Sequence, residues 1–186
     1  MPSINTAKIL IMSANGFEQS ELMVPLDKLK AAGATVHVAT PDGQAIKGWK
    51  DKNWGESVDA DLKIADARVD QYDALVIPGG QINPDILRTQ QDAVSLVRKF
   101  ADSGKVIAAV CHGPWMLVEA GIIKDREATS YHSIKTDMIN AGAKWRDAEV
   151  VTDEGIVTSR SPKDLEAFVN KIIEEIGEGR HDRRAA

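Results

Sequence analysis

The sequence predicts a doubly wound α/β domain, a mostly parallel sheet with helices on both faces. Three observations lead there. Short, nearly continuous apolar runs alternate with longer amphipathic segments, as expected of strands covered on both faces. The strand and helix patterns take turns along the chain, with no internal repeat or low-complexity segment, which implies parallel strands joined by helical crossovers. The 186 residues fit one domain, a size that removes roughly 70% of the unfolded chain's surface from water. The domain is expected to span 1–177, followed by a polar tail, 178–186, expected to fray.

In chain order, "AKILIM" (7–12) reads as the first buried strand. After "SANGFEQ", Leu22, Leu26 and Leu29 recur at helical spacing and Gly33 closes the segment. Pro25 falls inside it, predicting a kink or a helix that begins near Pro25. "TVHVAT" (35–40) is the second strand, and "PDG" ends it. Residues 44–66 are the least periodic and read as one or two short strands around an irregular excursion carrying Trp49 and Trp54. "YDALVIPGG" (72–80) is a strand running into a double glycine. "QDAVSLVRKFADSG" (91–104) is a helix with Val94, Val97 and Phe100 on one face. "KVIAAV" (105–110) is the next buried strand, and "PWMLVEAG" starts a helix with Pro114 in its first turn. "SIKTDMINAG" (133–142) is a helix, and "EVVTD" and "GIVTSR" are strands about a turn at Glu154-Gly155. "SPKDLEAFVNKIIEEIG" (161–177) is a helix with Ser161 as N-cap, Pro162 at N1 and Asp164 in the first turn.

Composition narrows the function classes. The chain is 43% hydrophobic and 27% charged, with a net charge of −5, so it gives no electrostatic reason to expect a nucleic-acid partner. No apolar run approaches the ~20 residues of a membrane span, and the first residues lack a signal-peptide pattern; the expected location is cytoplasmic. A single cysteine can form neither an internal disulfide nor a CxxC redox or zinc motif. No metal and no cofactor are expected.

In doubly wound sheets ligands bind beyond the carboxyl ends of the strands. Three loops should reach that edge: "SANGFE", "PGGQINPD" and "CHGPW". Cys111 falls between a buried strand and a helix, the topology of a nucleophile elbow. A helix N-terminus there would lower its pKa, and the amide of His112 could serve an oxyanion. The plainer alternative is a small apolar core residue, since free cysteine is commonly buried. His112 could be the base or contribute only its amide. His132 is another candidate base, whereas His37 and His181 read as structural or solvated. Glu18, if protonated, could donate a hydrogen bond to the sulfur; alternatively Glu18 and Glu21 are simply favourable first-turn acids. Gly79-Gly80 lacks a phosphate-loop pattern and is read instead as letting backbone approach a ligand, with an amide for an oxyanion. Asp85 is either a helix N-cap or a functional acid.

Together "DALVIPGG", "AAVCHGP" and "TSY..IK.DMINAGAKW.DAEVV" resemble the PfpI family of intracellular-protease-like proteins, within the DJ-one/ThiJ superfamily, from about Lys8 to Ile176. The resemblance implies a flavodoxin-like sandwich with a reactive cysteine, Cys111, touched by a glutamate of the first loop, matched to Glu18. It implies an oxyanion pocket from the amides of Gly80 and His112. It also implies a histidine, His112, paired with an acid of a neighbouring subunit in a homodimer or hexamer, the site lying near the subunit interface. That acid is matched to Asp85, an aspartate where the family often carries glutamate. Trp115 stands where many members have glutamine. The implied activities are peptidase-like hydrolysis of peptides, or glyoxalase and deglycase chemistry on small carbonyl compounds. The alternatives are an oxidative-stress protein whose Cys111 goes to sulfenic or sulfinic acid, and a binding module built around Trp49 and Trp54.

Overall fold

From Lys8 to Met12 (β1) the chain places four apolar side chains in a row, Ile9 to Met12, and all four are fully buried. A strand with no solvent face must be covered on both sides, and the remaining elements supply that cover. The structure, a computed structural model, describes residues 3–183. After β1 come β2 (Phe17–Glu18), α1 (Gln19–Ala31), β3 (Thr35–Thr40), β4 (Ile46–Lys50), β5 (Asn53–Val58), β6 (Leu62–Lys63) and β7 (Ala74–Ile77). Then follow α2 (Ile82–Arg88), α3 (Gln91–Asp102), β8 (Val106–Val110), α4 (Trp115–Glu119), β9 (Glu127–Ala128) and α5 (Lys135–Asn140). The chain continues with β10 (Lys144–Trp145), β11 (Val150–Asp153), β12 (Ile156–Ser159) and α6 (Leu165–Glu178).

The main sheet has the order β11-β12-β8-β7-β1-β3-β6, parallel throughout except for β11, which runs antiparallel to β12 at one edge. In the register, Ile9 lies beside Val36 and Ala74, and Ile107 beside Leu75 and Ile156. Side chains alternate across such strands. Leu10, Met12, Leu75, Ile77, Ile107 and Ala109 therefore pack on one face with Leu87 of α2, Val94, Val97 and Phe100 of α3 and Leu117 of α4. Ile9, Ile11, Val76, Ala108 and Val110 pack on the other with Leu22 and Leu29 of α1 and Phe168, Val169 and Ile172 of α6. Cys111 belongs to the α1–α6 face.

Several expectations need correction. Of the two readings for Pro25, a helix that begins there does not hold: α1 runs from Gln19 to Ala31 with Pro25 buried inside it. The lost backbone bond is offset by the burial of Leu22, Pro25 and Leu29 on one face. Within 44–66, β4 and β5 pair as an antiparallel hairpin with a register shift between Lys47 and Trp49, turned at Asp51-Lys52, both with left-handed backbone. Trp49 lies opposite Trp54 across it rather than in an irregular excursion. Ser161 makes no side-chain cap; a 3₁₀ turn over Pro162–Asp164 precedes α6, and Asp164 instead binds the Arg160 guanidinium at 2.9 and 3.0 Å. The start of the tail does not fray. His181 N donates to Gly104 O at 2.8 Å, and Arg183 donates to the carbonyls of Glu154 (2.8 Å), Phe100 (3.2 Å), Ala101 (3.0 Å) and Lys105. Residues 184–186 of that tail lie outside the described residues.

Candidate active site

Val110 ends β8 and the chain turns sharply at Cys111, whose φ is +63°. For a residue with a Cβ this left-handed conformation costs about 1–2 kcal/mol. Backbone bonds on both sides hold it: Cys111 N donates to Ser159 O at 3.0 Å, and Cys111 O accepts from Tyr131 N at 2.8 Å. The turn closes from Gly113 N to Val110 O at 2.8 Å. A Cβ on Gly113 would stand 2.7 Å from Ile77 O and 2.8 Å from Val110 O, so only glycine admits so tight an elbow. The turn also decides whether neighbouring side chains meet. Cys111 Sγ lies 3.2 Å from Nδ1 of His112.

The glutamate at the sulfur is Glu21, not Glu18. Glu18 occupies the N-cap of α1 and turns its carboxylate back onto the helix, accepting from Glu21 N at 3.0 Å and from the Ser20 hydroxyl. Engaged as a cap, it is unavailable to the thiol. Glu21 lies one residue before Leu22 on the buried face of α1 and is fully buried. Its Oε2 accepts from Gly79 N at 2.9 Å, and its carboxyl also interacts with the Cys111 thiol. A Cβ on Gly79 would come within 2.5 Å of Glu21 Oε2 and 2.6 Å of Cys111 Cβ, so this glycine is what lets acid and thiol meet.

The amides of Gly80 and His112 act on the Cys111 sulfur and favour its anion. His112 is 4% exposed. Its ring stacks on Tyr131 (centroids 5.0 Å apart) and meets Trp115 edge-on at 5.1 Å, and its Nε2 lies 3.1 Å from Ser133 Oγ. Asp85 is neither the cap of α2, a place held by Gln81, nor a partner of His112 within the chain; it is exposed in the first turn of that helix. His132 is exposed and packs on Tyr131, which stands between it and His112. Cavities of about 550 and 750 Å³ lie at the opposite sheet edge around Gly104 and Lys105, and neither includes Cys111.

A strand–elbow–helix cysteine with a buried carboxyl against it is a specific arrangement, and comparison with known proteins identifies it. The family model described as the DJ-1/PfpI family matches residues 7–175. The chain belongs to the DJ-1/PfpI family. Among its relatives, Deglycase TK1284 of Thermococcus kodakarensis is 43% identical over 166 residues, covering 89% of this chain and 97% of that protein. Protein/nucleic acid deglycase 2 of Escherichia coli is 40% identical over 171 residues, covering 91% and 98%. The crystal structure of Drosophila melanogaster DJ-1beta superposes with a TM-score of 0.83 at 29% identity, covering 93% of this chain and 95% of that one.

The electrostatics of this DJ-1/PfpI site differ from the sequence expectation of a lowered thiol pKa. Burial first, and then the charge of Glu21, push the Cys111 thiol upward, and the Gly80 and His112 amides offset only part of this. α4 is only five residues long, so little dipole reaches the sulfur. Burial and the nearby Glu18 charge push Glu21 up to about 8, so its carboxyl is mostly protonated at neutral pH. Burial lowers His112 to about 4, with His132 adding to the effect, so its imidazole is neutral. The resting site thus holds a thiol, a neutral base and a neutral acid.

Metal-ligating side chains gather elsewhere. Among the described residues Glu175, Glu178 and His181 bring ligand atoms within 4.8 Å of one another. They sit beside Gly104 at the opposite sheet edge, where Glu175 Oε2 already lies 3.3 Å from His181 Nε2.

Proposed function

We propose that the protein is a cofactor-free, deglycase-type enzyme in which Cys111 adds to the carbonyl carbon of a reactive aldehyde or glycated group. One observation carries this reading: at a strained elbow the Cys111 sulfur stands 3.2 Å from the Nδ1 of a neutral His112. Relatives at 43% and 40% identity named as deglycases support it. In the first step a bond forms between sulfur and the carbonyl carbon, and the thiol proton passes to Nδ1. The carbonyl π electrons move onto oxygen, where the Gly80 and His112 amides receive the charge. Return of the proton to that oxygen gives a neutral hemithioacetal. From a carbinolamine adduct the C–N bond first breaks, the amine leaving with the hydroxyl proton as the aldehyde carbonyl re-forms for the sulfur to attack. With an α-dicarbonyl compound, a proton shift between the two carbons of the hemithioacetal then gives a thioester, and water releases a 2-hydroxy acid and the thiol. No oxidant is needed.

In this route the thiol is not ionised in advance, and the proton leaves as the sulfur attacks. The same raised proton affinity weighs against Cys111 as a peroxide sensor, since thiolate is the oxidisable form. The proposal includes self-association into a homodimer or hexamer, in which the exposed Asp85 would serve a neighbouring copy. The proposed setting is the cytoplasm, where a lone thiol stays reduced; among the described residues no helix is long and apolar enough to cross a membrane. The test is turnover of methylglyoxal adducts of acetyl-lysine, and of a peptide panel, by wild type and Cys111→Ser. Wild-type release of the amine with none from the variant is expected. Equal turnover by the variant would sink the proposal.

A further inference from the structure

We propose that Glu175, Glu178 and His181 form a site for a divalent metal ion of the zinc class, which ties the C-terminal tail to α6. The site is independent of Cys111 and of the deglycase reading, and it needs no thiolate. The family match ends at residue 175, so Glu178 and His181 lie beyond the shared domain. Glu175 and Glu178 stand three residues apart on α6 and so share a face. The helix stops at Gly179, whose φ of +95° turns the chain back, and His181 returns beside Glu175. Its ring is held in place by the fold itself. His181 N donates to Gly104 O at 2.8 Å, and the ring packs directly on Gly155, where a Cβ would stand 2.3 Å from His181 Cδ2.

Two groups at this point lack the partners that burial demands. Glu175 is 5% exposed, and among the described residues its carboxylate accepts no hydrogen bond. His181 Nε2 is buried and makes no hydrogen bond, although Glu175 Oε2 lies 3.3 Å away. At that distance only direction prevents the bond, so the oxygen stands to one side of the nitrogen's lone-pair axis. Such a side-by-side placement is what two ligands of one ion require. With zinc about 2.0–2.1 Å from an imidazole nitrogen and a carboxylate oxygen, tetrahedral ligand atoms lie about 3.3–3.4 Å apart. The ligand atoms of all three residues already fall within 4.8 Å of one another, and Glu178, exposed at the end of α6, closes the remainder by a change of rotamer. Charge agrees with geometry. Two carboxylates beside a metal-bound, neutral imidazole balance a divalent cation, and the C-terminal end of the 14-residue α6 favours positive charge. The neighbouring cations are engaged, Arg183 with four carbonyls, Arg126 with Glu154 and Lys171 with Glu174. One imidazole among oxygens suits zinc or a similar transition ion better than magnesium or calcium.

The experiment titrates zinc into the full chain, first stripped with a chelator, for wild type, Glu178→Gln and His181→Ala. Glu178 is exposed and His181 lies past the last helix, so both variants keep the core. Wild type should bind one zinc per chain by calorimetry, and each variant should bind at least about 10-fold more weakly. Zinc should also raise the thermal midpoint of wild type, with no shift in the variants at the same concentration. Cobalt(II) in place of zinc separates this site from the thiol. A nitrogen and oxygen ligand field is expected, without a sulfur-to-cobalt charge-transfer band and unchanged in Cys111→Ser. Failure of wild type to bind zinc, or equal affinity in the two variants and wild type, overturns the inference and leaves Glu175 and His181 as an ion pair only. A cobalt spectrum lost in Cys111→Ser and kept in His181→Ala overturns it too, by placing the ion at the elbow. None of these readouts depends on turnover, so the deglycase reading stands or falls separately.

Discussion

Replacing Glu21 by glutamine removes a titratable group from the interior and nearly keeps its shape. In the folded protein Glu21 titrates at about 8, whereas a glutamate in an unfolded chain titrates near ~4.3. Between those values the folded state holds a proton that the unfolded state has lost. The stabilisation is complete below the unfolded value and is lost as the pH rises through the folded one. At about 1.4 kcal/mol per pH unit, the whole window is worth about 5 kcal/mol. His112 works in the other direction. Its folded pKa of about 4 lies below the unfolded value of ~6.5, so its contribution, about 3 kcal/mol, is gained as the pH rises between them. The two nearly cancel up to about pH 6.5, which leaves a net loss of about 2 kcal/mol from there to about pH 8 due to Glu21 alone. Urea unfolding from about pH 5 to about pH 9 reads this directly. Wild type should weaken above about pH 6.5, while Glu21→Gln should stay level. Parallel profiles in that range would show that Glu21 is already ionised in the fold, and the assignment of a neutral acid beside the sulfur would fall.

The raised proton affinity of Cys111 predicts slow alkylation by iodoacetamide at neutral pH, slower than free cysteine, with a rate still climbing beyond about pH 9. A plateau reached below neutral pH would mean a preformed thiolate. Arg183→Ala should cost about 1–3 kcal/mol in chemical denaturation, because its half-buried guanidinium serves carbonyls at the end of α3, just before β8 and in the β11–β12 turn. An unchanged midpoint would mean that the tail only rests on the surface.

Much of this architecture was readable because buried parallel strands leave an unambiguous mark. "AKILIM", "TVHVAT" and "KVIAAV" differ from the observed strands by at most one residue. Where the reading failed, a distant contact overrode a local rule. Pro25 is a helix breaker on local grounds, but the α1 face packed on the sheet keeps the helix continuous. Ser161 is a favoured cap, yet Asp164 serves Arg160 instead. Motif position points to Glu18, whereas the structure puts Glu21 at the sulfur. The helical face itself held the correction: Glu21, Pro25 and Leu29 recur four residues apart, beside Leu22, so the acid of that set was the one bound inward. Ser133 and Tyr131 carried no comparable sign, because their contacts with His112 arise from ring stacking and one hydrogen bond between distant segments. The thiol pKa went astray for a related reason. A helix start is visible in sequence, whereas the burial that outweighs it is not.

The left-handed backbone at Cys111 sets the needs of the fold against those of the chemistry. Glycine would relax that turn, and asparagine would sit there more easily than cysteine. Within a lineage, selection for stability alone should therefore erode the thiol, whatever happens to the sheet around it. A descendant that keeps every strand and the Gly113 corner but carries glycine or asparagine at this position has abandoned the reaction. One that keeps cysteine there is still under selection to perform it. The residue at a single strained turn thus separates working members from retired ones more sharply than identity over the whole chain.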